Sequence, residues 1–110
     1  MSQDLADRIA ALRHSGGAYD LLKAELAQES ASSLGHHGRQ VETAMVALRA
    51  FDAAGTGTAD ERVALLKKAA RAVWSYFVQR ELCGMRDHRW VINDYGITNE
   101  VMARLGAVER

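Results

Sequence analysis

No proline occurs anywhere in the 110 residues, and that absence limits the fold more than any motif does. Proline removes a backbone donor and breaks helix interiors, so a proline-free chain permits long uninterrupted helices. The apolar residues follow a helical period. Tyr19, Leu22, Leu26, Ser30, Leu34, Val41, Met45, Leu48 and Phe51 fall mostly three, four or seven residues apart, which is one face of a long, coiled-coil-like helix. The spacing predicts a helix from about Ala18 to Ala53. Asp20 and Glu25 lie toward its start, where the helix dipole favours negative charge. Its weak point is Gly35-His36-His37-Gly38, since each mid-helix glycine costs up to ~1 kcal/mol relative to alanine. Either a loop breaks the helix there, or it continues and the glycines mark a close helix crossing. Leu34 to Val41 is one heptad step, so the stripe keeps phase, which favours continuity.

Gly55 and Gly57 place a loop between Ala53 and Thr58. Thr58 precedes Ala59, Asp60 and Glu61 and can cap a helix whose first turn is acidic. This second helix is expected to reach about Leu82, with Gly84 just beyond it as the left-handed residue that ends it. Its stripe is Val63, Leu66, Ala70, Val73, Phe77 and Arg80, widened by Leu65, Trp74 and Tyr76. A short loop between two long amphipathic helices implies an antiparallel hairpin.

The flanks read more weakly. Ser2 can cap a helix from about Gln3 to Arg13, with Leu5, Ile9 and Leu12 as its face and Ser15-Gly16-Gly17 as its end. Such a short helix either docks or frays, because nucleation is costly. Met85 to Gly96 has no clean period and reads as an ordered loop anchored by Trp90, Val91, Ile92 and Tyr95. Arg80–Glu81 and Arg86–Asp87 read as ion pairs positioning it. Thr98 then caps a last short helix ending at Gly106, with Ile97 stapled onto Met102. The expectation is one all-α domain over residues 1–110: a long antiparallel hairpin with short terminal helices, residues 1–17 serving as a flexible helix and linker.

Composition narrows function mainly by exclusion. Apolar residues make up 48% and charged residues 25%, too apolar for a disordered chain. The net charge is zero, so the overall balance recruits neither nucleic acid nor an anionic membrane. Basic residues do gather between Arg62 and Arg89. Cys83 is the one cysteine, so no intrachain disulfide can form, which fits a reducing compartment. Met1 to Leu12 lacks a signal-peptide apolar core, and no apolar run nears the roughly 18 residues of a membrane span. A cytoplasmic protein is expected.

Two stretches carry a resemblance. One runs from Gln28-Glu29 through Leu34-Gly35-His36-His37-Gly38-Arg39-Gln40-Val41-Glu42. The other comprises Gln79-Arg80-Glu81-Leu82-Cys83-Gly84-Met85-Arg86-Asp87 with Asp94-Tyr95-Gly96-Ile97-Thr98-Asn99-Glu100-Val101-Met102-Ala103-Arg104-Leu105-Gly106. Together they resemble a group of small all-α bacterial proteins known as a domain of unknown function, over roughly Ala18 to Ala107. The resemblance implies a helical setting for the glycine-bearing stretch. It implies no activity, cofactor or site residue.

The residues themselves assemble no strong chemistry. His36 and His37 are adjacent, so on a helix they point about 100° apart and cannot easily share one metal. Packed or solvated histidine is the expected role, with a metal or pH-sensing site as the sharper alternative. Cys83 and His88 with Asp87 are half a zinc set at best, so a small buried hydrophobe is the expected role of Cys83. Glu25, Glu29 and Glu42 lack the Glu-x-x-His partners that di-iron bundles use. Gly35-His36-His37-Gly38 is no phosphate-binding loop. Arg86, His88, Arg89, Trp90 and Tyr95 mix basic and aromatic residues that can stack on and neutralise a phosphate or a single strand. Anchoring the loop is the plainer role. No metal and no cofactor is expected.

The strongest remaining expectation is self-association. A helix from Ala18 to Ala53 is about 50 Å long, whereas a compact chain of this size has a radius of gyration near 13 Å. Tyr19, Leu22 and Leu26 then need a cover. The expectation is a homodimer, two hairpins forming a four-helix-type bundle through Tyr19, Leu22, Leu26, Leu34, His37 and Val41. The leading function is a non-enzymatic interaction or scaffold protein with itself or another protein as partner. The alternative is an anion- or small-ligand-binding regulator using Arg80, Arg86, His88, Arg89 and Trp90. Nucleic-acid binding ranks third.

Overall fold

The computed structural model describes residues 4–7 and 17–106. Over residues 17–106 four helices follow in order: α1 (Gly17–Ala54), α2 (Ala59–Leu82), α3 (Arg89–Asp94) and α4 (Asn99–Met102). No strand occurs among the described residues. Residues 4–7 are helical and exposed, while most of the expected Gln3–Arg13 helix and its Ser15-Gly16 break lie outside the described residues. No helix among the described residues is long and apolar enough to cross a membrane.

The chain forms two compact units, Met1–Ser32 and Ser33–Arg110. In the first, α1 exposes its apolar residues: Tyr19 is 56%, Leu22 46% and Leu26 57% accessible, and Leu21 47%. Nothing described within this unit buries them.

The second unit holds the core. α1 runs unbroken through Gly35 and Gly38. A Cβ on Gly38 would lie 2.9 Å from the Tyr95 hydroxyl and 3.6 Å from the Tyr76 ring, so this glycine lets two aromatic side chains reach the helix backbone. Gly35 has only the flexible Arg39 guanidinium nearby.

α1 and α2 are antiparallel. Asp52 pairs with Arg62, and Gly38 meets Tyr76. Fourteen residues back along α1 thus match fourteen forward along α2. The loop between them is tight, because Gly57 lies against the Phe51 ring where a Cβ has no room. Thr58 and Glu61 complete a capping box: the Thr58 hydroxyl accepts from the Glu61 amide at 3.2 Å, and the Glu61 carboxylate accepts from the Thr58 amide at 3.3 Å. Two of the orphan amides at the start of α2 are thereby satisfied.

Val41, Ala44, Met45 and Leu48 of α1 meet Leu66, Ala69, Ala70, Val73, Tyr76 and Phe77 of α2 in one cluster, closed by Val91, Ile97 and Val101. Val41, Met45, Leu66, Val73, Val91 and Val101 are fully buried, each a gain of roughly 1.5–3 kcal/mol over exposure. Three expectations are corrected. Met85–Gly96 is not a loop throughout, since α3 occupies its middle. Trp90 is not a core anchor and Trp74 does not widen the buried face of α2, being 58% and 52% accessible. Trp74 lies just outside the buried arc of α2, while its neighbours Val73 and Tyr76 lie within it.

Two glycines set the entry to α3 and α4. Gly84 has φ +88° and Gly96 has φ +63°, conformations costly for any residue with a Cβ. After α2, Gly84 N–H bonds Glu81 C=O at 3.0 Å and Met85 N–H bonds Arg80 C=O at 2.9 Å. After α3, Gly96 N–H bonds Asn93 C=O at 3.3 Å and Ile97 N–H bonds Ile92 C=O at 2.9 Å. Both are complete Schellman motifs. The second turns Ile97 into the core, and the Thr98 hydroxyl then caps α4 at the Val101 amide.

Candidate functional site

Two polar clusters and one groove stand out in the second unit. The first cluster centres on Arg80, which sits on the core stripe of α2 and is only 4% exposed. Its Nε donates to His88 Nδ1 at 3.0 Å and its Nη2 to the Asp87 carbonyl at 2.9 Å. Its guanidinium lies 5.7 Å from the Tyr76 ring centre and 5.3 Å from that of Trp90. Because Arg80 can only donate, His88 Nδ1 accepts and the imidazole proton sits on Nε2. That nitrogen donates to the Glu81 carboxylate at 3.0 Å. The His88 ring stacks on Phe77, with centroids 4.1 Å apart and planes 6° apart. These hydrogen bonds join the end of α2 to the segment that leads into α3.

Of the candidate ligand residues, the structure brings Arg80, His88 and Trp90 together on one another, while Arg86 and Arg89 stand apart from them. Arg80 and His88 hold the α2–α3 connection. Arg89 Nη2 lies 2.7 Å from Asp87, which also accepts from the Arg89 amide. Arg89's side chain and amide hold the Asp87 carboxyl below the usual carboxylate range, and Asp87 raises Arg89 in return. Arg86 is exposed. Trp90 serves as a face for Arg80. Asp87 pairs with Arg89 and Glu81 with His88, rather than with Arg86 and Arg80 as the sequence suggested. Cys83 is half-buried as the C-cap of α2.

The second cluster ties the loop end of the hairpin. Arg62 Nε and Nη2 donate to Asp52 at 2.8 and 3.1 Å, and Nη1 and Nη2 donate to Glu100 at 2.7 and 2.9 Å. One guanidinium thus fastens the end of α1 and the start of α4 to α2. These hydrogen bonds lower the carboxyl groups of Asp52 and Glu100 and raise Arg62. Arg49 Nη1 adds a bond to the Tyr95 carbonyl at 3.3 Å.

The groove lies between α1 and α2. His36, His37, Gln40 and Ala44 line one side, and Lys68, Arg71, Ala72 and Ser75 line the other, around a space of about 440 Å³. The two imidazoles meet edge to face with centroids 5.6 Å apart. Sequence reasoning weighed His36 and His37 but missed Gln40, Lys68, Arg71 and Ser75. The signal was present as two rows at helical spacing, 36/37–40–44 and 68–71/72–75, which an antiparallel register sets opposite each other. Among the described residues, no three of His, Cys, Asp and Glu come together as a metal site.

The expected dimer surface is divided. Tyr19, Leu22 and Leu26 are exposed, but Val41 is fully buried in the chain's own core and Leu34 packs against that core. His37 is half-buried in the groove. Val41 is thus corrected from interface to core, because the α1 stripe meets α2 from about Leu34 onward.

These features define a class: an all-α protein built on an antiparallel helical hairpin, with a buried arginine locking the turn into its short C-terminal helices. The chain belongs to the family of unknown function DUF6665, whose profile matches residues 1–110. No curated protein and no solved structure matches the chain significantly.

Proposed function

We propose that the protein is a non-enzymatic helical interaction module that pairs with a second copy of itself through residues 17–32 of α1. The observation that carries this is the exposure of Tyr19, Leu21, Leu22 and Leu26 within two helical turns. An isolated helix of that length is marginal in water, and contiguous exposed apolar residues mark interaction surfaces. The patch suits self-pairing. A two-fold axis beside Ala24 lays Leu22 of one copy against Leu26 of the other, and small Ala18 against Ser30. Isologous contacts of this kind are the commonest in homo-oligomers.

Sedimentation equilibrium on the full chain and on the Leu22→Asp, Leu26→Asp double variant tests this. The reading predicts a dimer that becomes a folded monomer in the variant. A dimer that survives the double variant and dissociates with Val78→Asp would overturn it. That result would move the contact to the exposed row Trp74–Val78–Leu82 on α2.

A further inference from the structure

We propose that the connection from α2 to α3 is a pH-sensitive latch, closed while His88 is neutral and opened when its imidazole takes up a proton. It goes beyond the pairing reading and uses none of its residues. In the closed latch both ring nitrogens are committed: Nδ1 accepts from the Arg80 Nε–H at 3.0 Å, and the Nε2–H donates to Glu81 at 3.0 Å. Arg80 Nη2 also holds the Asp87 carbonyl at 2.9 Å. A second ring proton has only Nδ1 to go to. There it turns the acceptor into a donor aimed at a permanent cation. Turning the ring over gives no relief, because an imidazolium carries N–H at both positions.

The charged groups around His88 decide which way the latch goes. They are Arg80 and Glu81 of α2, Asp87 of the connection, and Arg89 of α3 on the far side of Asp87. Arg80 is 4% exposed, so its charge acts through protein interior. The Glu81 side chain is 57% exposed, so water screens its attraction for a charged ring. Asp87 attracts a charged His88 too, but Arg89 lies 2.7 Å from that carboxylate and offsets it. Repulsion therefore exceeds attraction in the closed latch. A contact that needs a neutral histidine is present at high pH and is lost as the ring charges. The connection is able to move alone. Gly84, Met85, Arg86 and Asp87 are exposed, whereas Val91 sits in the core and Ile97 is fixed by the turn after α3. Opening frees the Arg80 guanidinium from His88 and Asp87 and sets a new positive charge beside it.

The test follows the full chain by nitrogen NMR of the arginine Nε–H and histidine ring signals from about pH 8 to about pH 5, the range in which imidazoles titrate. The latch predicts that the Arg80 Nε–H loses its protection from solvent exchange as His88 charges. The opening constant should rise about tenfold per pH unit, as one coupled proton requires. The Val41 and Val73 amides should keep their protection, because the core stays closed. His88→Gln offers a carboxamide oxygen and an amide N–H without titrating, so protection of Arg80 in that variant should not depend on pH. Four results would each overturn the proposal: an Arg80 Nε–H still protected once His88 is charged, a His88 ring still neutral at about pH 5, the wild-type pH dependence in His88→Gln, or loss of Val41 and Val73 protection in step with Arg80.

Discussion

The Nε–H of Arg80 donates to Nδ1 of His88 across 3.0 Å, so a buried cation dictates which nitrogen of a histidine eight residues away carries its proton. Glu81 and Phe77 hold the ring from its other sides. Nitrogen NMR should find His88 as the Nε2–H tautomer in the folded protein. The Nδ1–H form would contradict the account, since two donors would then face each other.

The same contact ranks the arginines. Arg80→Ala removes a guanidinium packed on two aromatic rings and leaves the Asp87 carbonyl and His88 Nδ1 without their donor. Each unpaired acceptor costs about 1–3 kcal/mol, so a loss of about 2–4 kcal/mol is expected in urea unfolding. Arg86→Ala, at an exposed position, should stay within about 0.5 kcal/mol of the parent.

Carboxyl protonation should loosen the hairpin end. Arg62 holds the carboxyl groups of Asp52 and Glu100 below their ordinary values. A depressed folded value adds stability that is present above the unfolded carboxylate range. It is lost as pH falls through the folded values. The wild type should therefore lose stability from about pH 5 downward, and Arg62→Gln should flatten that slope while lowering stability at neutral pH. Tyr95 acts at the other extreme. Burial, then Tyr76, raises its hydroxyl, so its contribution is present below about pH 10 and disappears as pH rises through the raised value. Thermal melts across pH measure both limbs.

Three glycines give three different outcomes. Gly35→Ala should stabilise by up to ~1 kcal/mol, because helix propensity improves and only a flexible arginine stands nearby. Gly38→Ala should lose that gain and about 1 kcal/mol more, since the new methyl displaces the Tyr95 hydroxyl from its place beside Tyr76. Gly57→Ala should cost about 1–3 kcal/mol by forcing the Phe51 ring aside. Equal effects at Gly35 and Gly38 would contradict the close crossing.

The helices were legible because period and caps are local properties. The spacing from Leu34 to Phe51 and from Leu66 to Arg80 gave the two faces, Thr58 and Thr98 gave starts, and Gly84 gave a stop. The phase argument at Gly35 and Gly38 read the helix correctly, and Gly38 does mark a close approach. What the sequence hid was pairing. Glu81 has neighbours of opposite charge at several spacings, and only the turn at Gly84 brings His88 to it rather than Arg80. Likewise α3 is six residues long, too short for a period to show, and is held by Val91 in the core. The groove was hidden for the same reason, since its two walls are about thirty residues apart and meet only through the antiparallel register.

The most direct test of the central claim is a native mass spectrum of the purified full chain. The account predicts a species of twice the 12.1 kDa chain mass, lost in the Leu22→Asp, Leu26→Asp variant. A single-chain mass for the wild type at micromolar concentration would contradict it.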